Sequence, residues 1–202
     1  MQQRAHAVIR SVPRVRLVSA GFLERQDGVI VDTSASVTLV EASGKRIVVD
    51  TGSPNECDKL LSGLTALSVE PNDVDIVVNT HLHMDHCGCN ELFKRAVVYA
   101  HELESPPIGT IRVSGSMTLL PRIELVHTPG HTAGSITVFV RADRVYGICG
   151  DAIPTKANFD SHVPPLIAVN KRLALKSMDA IVSTAQIVIP GHGEPFEVRR
   201  KE

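Results

Sequence analysis

Four side chains that commonly bind metal ions are crowded into six residues near the middle of the chain. They are His81, His83, Asp85 and His86, in the segment HLHMDH, which follows the short apolar run at residues 76–78. Because side chains alternate along an extended chain, the first three project to the same side, and His86 can reach that side if the chain turns into a helix. One ion does not need all four ligands, whereas two ions about 3.5–4 Å apart would use them. The segment therefore predicts a metal site and favours a pair of ions.

Three more residues that could bind a metal each follow a strand-like run and a glycine. His131 stands in TPGHT, Asp151 in CGD and His192 in PGHG. A preceding glycine lets the backbone bend sharply and approach an ion closely. Rigid strands can aim side chains from their ends into one cleft. We therefore expect these three residues to join the first four.

Taken together, these motifs and the VVDTG segment at residues 48–52 resemble the metallo-β-lactamase-fold hydrolase superfamily, over nearly the whole chain. The resemblance implies a first metal held by His81, His83 and His131. It implies a second metal held by Asp85, His86 and His192, with Asp151 bridging the two ions. All seven superfamily positions carry a residue of the expected type, so the resemblance implies a catalytic member.

Two further residues are candidates for supporting roles. By the same resemblance, Asp50 would hold loop backbone or orient a ligand histidine without binding metal itself. A plain turn aspartate fits the sequence equally well. The segment 152–163 begins directly after Asp151 and should lie over or beside the cleft, which makes His162 a candidate for contacting substrate; a surface histidine fits as well.

Imidazole and carboxylate ligands without thiolate suit zinc, and also iron or manganese. We expect two divalent ions, with zinc favoured. A metal-bound water can have its pKa lowered to about 7, so a hydroxide bridging the ions could attack a carbonyl carbon or a phosphorus atom. Asp85 would both bind metal and orient this nucleophile. The sequence therefore predicts a metal-dependent hydrolase of the zinc type.

The substrate is less well defined by the sequence. A small ester, thioester or lactone is the leading prediction, because the sequence has no additional segment that could grip a polymer. The alternative is a phosphodiesterase or ribonuclease, since residues 188–196 and the start of the domain resemble a small nuclease branch. RNA would then be a partner, and Lys171, Arg172 and Lys176 could face phosphate, although a solvated helix face fits them better.

Two other classes of protein remain to be separated from a dinuclear hydrolase. A mononuclear iron sulfur dioxygenase would use only His81, His131 and Asp151, which the filling of all seven positions does not favour. A non-catalytic binding module would be expected to have lost at least one ligand, which this sequence has not.

Composition and length are typical of one globular domain spanning residues 1–202. The chain has 43% hydrophobic residues and a net charge of −1, which gives no global attraction to nucleic acid or acidic membranes. No stretch approaches the ~20 apolar residues of a membrane span, and no secretory signal is visible. The four cysteines include Cys87 and Cys89 beside the ligands, which favours free thiols in a reducing cytoplasm. A homo-oligomer is left open.

The element pattern is rich in strands in both halves. Amphipathic helices are predicted at residues 57–67 and 170–182. Runs at 28–32 and 36–40 read as neighbouring strands, and a hairpin is predicted to carry His131 and Asp151. The fold class is α/β (α+β), and the resemblance implies a four-layer αββα sandwich.

Overall fold

A computed structural model describes residues 12–199 of the chain. Most of the N-terminal segment that was searched for a secretory signal lies outside these residues, as do the last three residues. Within residues 12–199, the strands form two six-stranded sheets and one separate two-stranded hairpin. No helix in this part of the chain has both the length and the apolar composition needed to cross a membrane.

The strands and helices are as follows. The strands are β1 (Arg14–Ser19), β2 (Phe22–Gln26), β3 (Val29–Ser34), β4 (Val37–Ala42), β5 (Lys45–Val49), β6 (Ile76–Val78), β7 (Val97–His101), β8 (Ile111–Val113), β9 (Met117–Leu120), β10 (Ile123–His127), β11 (Ile136–Arg141), β12 (Val145–Ile148), β13 (Ile187–Ile189) and β14 (Phe196–Glu197). The helices are α1 (Cys57–Ala66), α2 (Met84–Cys87), α3 (Lys156–Ser161) and α4 (Lys171–Thr184).

Both sheets mix parallel and antiparallel pairs. The first sheet has the order β1-β4-β5-β6-β7-β8, and its strands from β5 to β8 run parallel. The second has the order β14-β13-β12-β11-β10-β9, with β12 and β13 parallel and the other pairs antiparallel. Because carboxyl ends of parallel neighbours meet at one edge, β5 with β6 and β12 with β13 each present two adjacent loops there.

Alternating side chains of the strands separate the core into layers. Ile47 and Val49 of β5 point inward, where they belong to a buried cluster shared with Val138 and Ile148 of the second sheet. Val48 points outward and packs with leucines of α1. Residues Met178 and Ile181 of α4 cover the outer face of the second sheet. The predicted α/β sandwich with helices outside two sheets is confirmed.

The helices predicted at residues 57–67 and 170–182 are α1 and α4, and β11 and β12 form the predicted hairpin. The prediction that strands at 28–32 and 36–40 are neighbours is wrong. Within residues 12–199, strand β3 pairs with β2 alone, whereas β4 pairs with β1 and β5. The connection between β3 and β4 is held instead by the site loops, because the Ala35 and Ser36 N–H groups donate to the carbonyls of Asp85 and Gly191. These contacts turn the β2–β3 hairpin away from the sheet.

The expectation of four free cysteines is also corrected. Cys57, at the start of α1, and Cys89 form a disulfide although they are 32 residues apart. Cys87 and Cys149 are free thiols. Spacing along the chain could not reveal this pair, because α1 and the segment after α2 meet only in the folded sheet. The disulfide weakens the cysteine argument for a reducing compartment.

Candidate metal centre

All seven predicted ligands lie together at the edge where the central strands end. His81 follows β6, and its loop continues into α2, which begins at Met84 and carries Asp85 and His86. Asp151 follows the end of β12 after two intervening residues, and His192 follows the end of β13 after two. Because β12 and β13 pair in parallel, their two loops lie side by side. His131 enters from the loop between β10 and β11. Glycines are needed here, because a side chain at Gly191 would collide with the Asp151 carboxylate.

The first group of ligand atoms consists of three histidine nitrogens. Nε2 of His81 lies 3.0 Å from Nδ1 of His83 and 3.2 Å from Nε2 of His131. Nδ1 of His83 lies 3.0 Å from Nε2 of His131. Three ring nitrogens thus converge on one point at the distances expected of ligands around a single ion.

Hydrogen bonds on the far side of two rings fix which nitrogen faces this point. The Nδ1–H of His131 donates to the Ile167 carbonyl at 2.7 Å. The Thr80 hydroxyl lies 2.7 Å from the Asp50 carboxylate and must donate to it, so it can only accept from Nδ1–H of His81, 3.3 Å away. Each Nε2 therefore carries a lone pair, and two lone pairs 3.2 Å apart repel unless a cation lies between them.

A second group is formed by Asp85, His86 and His192. Oδ2 of Asp85 lies 4.0 Å from Nε2 of His86 and 3.8 Å from Nε2 of His192. The opposite nitrogens are again held by acceptors: Nδ1–H of His86 donates to Asp50 at 2.8 Å, and that of His192 donates to the Ser34 carbonyl at 2.9 Å. Both Nε2 atoms therefore turn into the site.

The carboxylate of Asp151 stands between the two groups. Its Oδ2 lies 3.5 Å from Nε2 of His131, and its Oδ1 lies 3.4 Å from Nε2 of His86 and 3.1 Å from Nε2 of His192. Among residues 12–199, the buried Oδ1 of Asp151 and Nε2 of His86 have no hydrogen-bond partner. Buried polar atoms are normally paired, so these atoms fit a site that is completed by cations.

Burial and the neighbouring carboxylates shift the pKa values of these histidines in different directions. Burial lowers the pKa of His81 well below the ordinary histidine value and lowers that of His131 as well. Burial acts in the same direction on His86, but the carboxylates of Asp50 and Asp151 outweigh it and raise the pKa of His86 well above that value. For Asp151, burial opposes ionisation, yet the rings of His192 and His86, whose Nε2 atoms lie 3.1 and 3.4 Å from its Oδ1, hold its pKa well below the usual range. Burial around His81 and the carboxylates around His86 therefore give the two ligand groups different electrostatic environments.

Asp50 contacts this cluster from behind and does not enter it. Its carboxylate accepts hydrogen bonds from the Thr80 N–H at 2.7 Å and from His86. It is 2% exposed and has a left-handed backbone conformation with φ of 56° at the end of β5. The residue therefore ties the end of β5 to that of β6 and orients a ring of the cluster.

The structure does not bring His162 to the site. It follows α3 with φ of 49°, and its exposed ring pairs with Asp179 of α4 at 2.8 Å. The left-handed end of α3 directs this side chain to the outer surface. Lys171, Arg172 and Lys176 are exposed on α4, and none of them lines the cavity above the cluster.

Two residues near the cluster were missed in the sequence. The Thr33 hydroxyl lies 3.1 Å from Oδ2 of Asp85 and 3.2 Å from Nδ1 of His192. Glu104 accepts from the Leu82 N–H at 3.1 Å and from the Gly134 N–H at 2.8 Å. No local pattern could have indicated either residue, because their partners in the ligand loops lie between 22 and 159 residues away along the chain.

A cavity of about 290 Å³ opens over the ligand cluster. Its walls beyond the cluster come from the β2–β3 hairpin, from residues near α3 and from the segment before α4. These lining residues are Leu23, Arg25, Ile30, Thr33, Pro154, Asn158, Pro165, Leu166 and Ile167. The cluster therefore forms the floor of a concave site that suits a small molecule.

The chain is similar in sequence to known proteins. A family profile, the metallo-β-lactamase superfamily, matches residues 30–123. A probable metallo-hydrolase of Methanocaldococcus jannaschii is 37% identical over 178 residues, which are 88% of this chain and 86% of that protein. An N-acyl homoserine lactonase of a Bacillus species is 25% identical over 82% of this chain and 83% of that protein.

Solved structures agree in fold at lower sequence identity. A Thermotoga maritima protein assigned to the metallo-β-lactamases has a TM-score of 0.77 at 18% identity, covering 92% of this chain and 99% of its own. An N-acyl homoserine lactone hydrolase has a TM-score of 0.71 at 20% identity, covering 91% of this chain and 93% of its own. With the fold, the ligand cluster and a relative at 37% identity in agreement, the chain belongs to the metallo-β-lactamase superfamily.

Proposed function

We propose that the chain is a dinuclear metal-dependent hydrolase that acts on a small ester, thioester or lactone. The observation that supports this most directly is the position of Asp151, whose two oxygens face two separate groups of ligand atoms. Each group contains histidine nitrogens whose lone pairs point at one another or at the carboxylate. Two cations, one in each group, would offset the repulsion between these lone pairs and between them and the carboxylate.

The proposed roles follow from the two groups. His81, His83 and His131 would hold one ion, and Asp85, His86 and His192 would hold the other, with Asp151 shared. Zinc is the proposed metal, because the ligand set combines imidazoles and carboxylates without thiolate, a set that iron and manganese also accept.

Divalent ions bound in such a site lower the pKa of water and polarise a carbonyl oxygen. The chain's own residues would position the reactants. Asp85 accepts from the Thr33 hydroxyl and presents its carboxylate at the cavity floor, where it can orient the attacking nucleophile. Apolar side chains of the cavity walls would shield the reacting carbonyl from bulk water.

The class of substrate is supported by the cavity and by the relatives. A volume of about 290 Å³ is at the small end of ligand pockets, which fits a small molecule better than a folded polymer. The Bacillus lactonase and the solved N-acyl homoserine lactone hydrolase carry names that place small lactones among the substrates of similar proteins. We extend this class to the present chain as a proposal.

The proposal is tested by measuring metal content and turnover together. Zinc-loaded protein is assayed on an N-acyl homoserine lactone, a lactoyl thioester and a short single-stranded RNA, with Asp85→Asn as the inactive control. We expect turnover of a lactone or thioester that is lost in the variant. RNA cleavage with the same dependence on Asp85 would replace this proposal by the nuclease. A preparation with one iron per chain that oxidises a persulfide would replace it by the sulfur dioxygenase.

Three broader expectations belong to the same proposal. We propose that residues 1–202 form one domain, that the protein acts in the cytoplasm without a membrane partner, and that any oligomer is of identical chains. Limited proteolysis, cell fractionation and light scattering would test these statements in turn. Two stable proteolytic fragments would contradict the single domain.

A further inference from the structure

The β2–β3 hairpin presents one face to the cavity. Leu23 pairs across the hairpin with Thr33, and Arg25 pairs with Ile30. All four of these residues line the cavity. Leu23 and Arg25 share a face of β2, and a β-bulge at Val31 lets both Ile30 and Thr33 of β3 face the cavity. Val29, which is exposed and adjacent to Ile30, points to the other face. The hairpin, which belongs to neither large sheet, is therefore a wall of the cavity.

One end of this wall is fixed to the ligand cluster, and the other end carries a positive charge. Thr33 contacts Asp85 and His192 at the cavity floor. On β2, Arg25 is two residues beyond Leu23, roughly 7 Å along the strand at about 3.3 Å per residue. Arg25 therefore lies at the end of this wall away from the cluster, and the apolar side chain of Leu23 lies between its charge and the level of Thr33.

A second apolar part of the lining consists of Pro165, Leu166 and Ile167, and the last two side chains are 54% and 59% exposed. This segment is tied to the cluster, because the Ile167 carbonyl accepts from His131. A substrate reaching from the cluster toward Arg25 would thus meet apolar side chains from two segments of the chain.

The guanidinium of Arg25 has no hydrogen bond or ion pair with any residue of 12–199, and within that range Arg25 is the only lysine or arginine lining the cavity. The two carboxylates lining the cavity, Asp85 and Asp151, belong to the ligand cluster, where their oxygens face histidine nitrogens and not Arg25. A guanidinium is a planar, permanently charged fork that matches a carboxylate or phosphate group. Its position beyond the apolar side chain of Leu23 is therefore suited to one class of ligand.

We propose that Arg25 forms an anion subsite, and that the substrate carries a carboxylate or phosphate group joined by a short apolar spacer to the carbonyl that is hydrolysed. This inference rests on the proposed hydrolase function and deepens it. It separates the chain from an enzyme for neutral lactones, because a neutral acyl chain would leave the arginine without a partner.

The test uses matched ester pairs on the zinc-loaded protein. Mono-4-nitrophenyl esters of succinate, glutarate, adipate and suberate are compared with neutral 4-nitrophenyl esters of equal chain length. We expect the charged esters to be preferred, with an optimum at one spacer length. In Arg25→Gln the ratio of kcat/KM for charged over neutral ester should fall about tenfold, mainly through KM, as expected for loss of a charge-assisted hydrogen bond.

A matched control removes an equal charge elsewhere. Arg95 is exposed and lines a separate depression beside Tyr99, so Arg95→Gln should leave the ratio unchanged. Arg25→Lys should restore only part of the preference, since an ammonium lacks the fork. An unchanged ratio in Arg25→Gln, or an equal fall in Arg95→Gln, would overturn the anion subsite.

A binding measurement separates this proposal from the hydrolase proposal. Glutarate, glycerol phosphate and neutral glutaramide are titrated calorimetrically into the zinc-loaded protein and into Arg25→Gln. Binding of an anion that weakens about tenfold in the variant would support the subsite even if no ester were hydrolysed. The tighter of the two anions identifies carboxylate or phosphate. If esters were hydrolysed but anions bound equally tightly to the unmodified protein and to Arg25→Gln, the hydrolase function would be supported and the anion subsite overturned.

Discussion

The carboxylate of Asp50 lies 2.8 Å from Nδ1 of His86 and leaves the opposite ring nitrogen facing the ligand cluster. The same carboxylate accepts from the N–H and the hydroxyl of Thr80, and Thr80 in turn contacts Nδ1 of His81. One buried aspartate therefore orients a ring in each of the two ligand groups. Partners of this kind set the tautomer and basicity of metal-bound histidines.

We predict that Asp50→Asn lowers zinc affinity about 10- to 100-fold, the usual cost of losing such a partner. An amide can present its NH₂ group to Nδ1 of His86, and that donor would oppose the ring tautomer that the site requires. Affinity is measured by competition with a chromophoric chelator. Asp75→Asn is the control, because Asp75 is bonded to Lys45 on the surface. Equal affinities for Asp50→Asn and the unmodified protein would contradict the orienting role.

Glu104 links the two loops that supply the first ligand group. Its two oxygens accept from the N–H of Leu82, between His81 and His83, and from the N–H of Gly134, three residues after His131. In Glu104→Gln one carboxylate oxygen becomes a donor, so one of the two bonds is lost. We predict that cobalt bound by the group of His81, His83 and His131 is weakened about tenfold, with an altered visible absorption spectrum.

The neighbouring Glu102 provides a control for this variant. It is exposed and accepts from the Ser114 hydroxyl at 2.6 Å, without contact to a ligand loop. Glu102→Gln should therefore leave the cobalt affinity and the spectrum unchanged. If the two variants behaved alike, Glu104 would have no special part in positioning the loops.

Cys87 should react slowly with alkylating reagents in chelator-treated protein. Burial, with a contribution from the Asp50 and Asp85 carboxylates, raises the pKa of Cys87 to about 11. The thiolate is the reactive form, so its fraction near pH 8 is small and increases about tenfold per pH unit until the pKa is reached. Iodoacetamide labelling followed by mass spectrometry at pH 7 to 10.5 measures this rate. A rate that levels off near pH 8.5 would contradict the raised pKa.

The disulfide between Cys57 and Cys89 should stabilise the fold. Closing a loop of 32 residues corresponds to about 3–4 kcal/mol in the chain-entropy description. Dithiothreitol, or Cys57→Ser, should therefore lower the free energy of unfolding measured in urea by about that amount. Cys87→Ser is the control and should retain the sensitivity to reductant. Four free thiols in non-reduced, denatured protein would show that the bond does not form in solution.

The two long helices and many of the strands were predictable from the sequence because they depend on signals with a short period, whereas the family and the two-sheet sandwich were implied by the resemblance that the ligand motifs carry. Apolar runs that alternate or repeat every three to four residues identify strands and helices. The HLHMDH segment and the glycines before His131, Asp151 and His192 identify strand ends that the fold then gathers at one edge.

The position of the β2–β3 hairpin could not be predicted from the sequence. Strands β3 and β4 could pair with each other only if the residues between them formed a simple turn without bonds to distant loops. Here Ala35 and Ser36 are bonded to the loops that carry Asp85 and His192. His162 also appeared close to the site in the sequence, because it follows Asp151 by only 11 residues. In the structure the left-handed end of α3 turns its side chain toward Asp179 instead.

By itself, then, the sequence determined the residue types at the candidate metal centre and the periodic helices and strands, which are encoded by local spacing, and its motifs resemble a family whose fold implies the architecture. Only the tertiary structure decided the partners that orient those residues, Asp50 and Glu104, the disulfide, and Arg25 at the end of the cavity wall away from the cluster. Each of these depends on contacts between segments far apart in the chain, whose geometry is set when the two sheets pack and their loops meet.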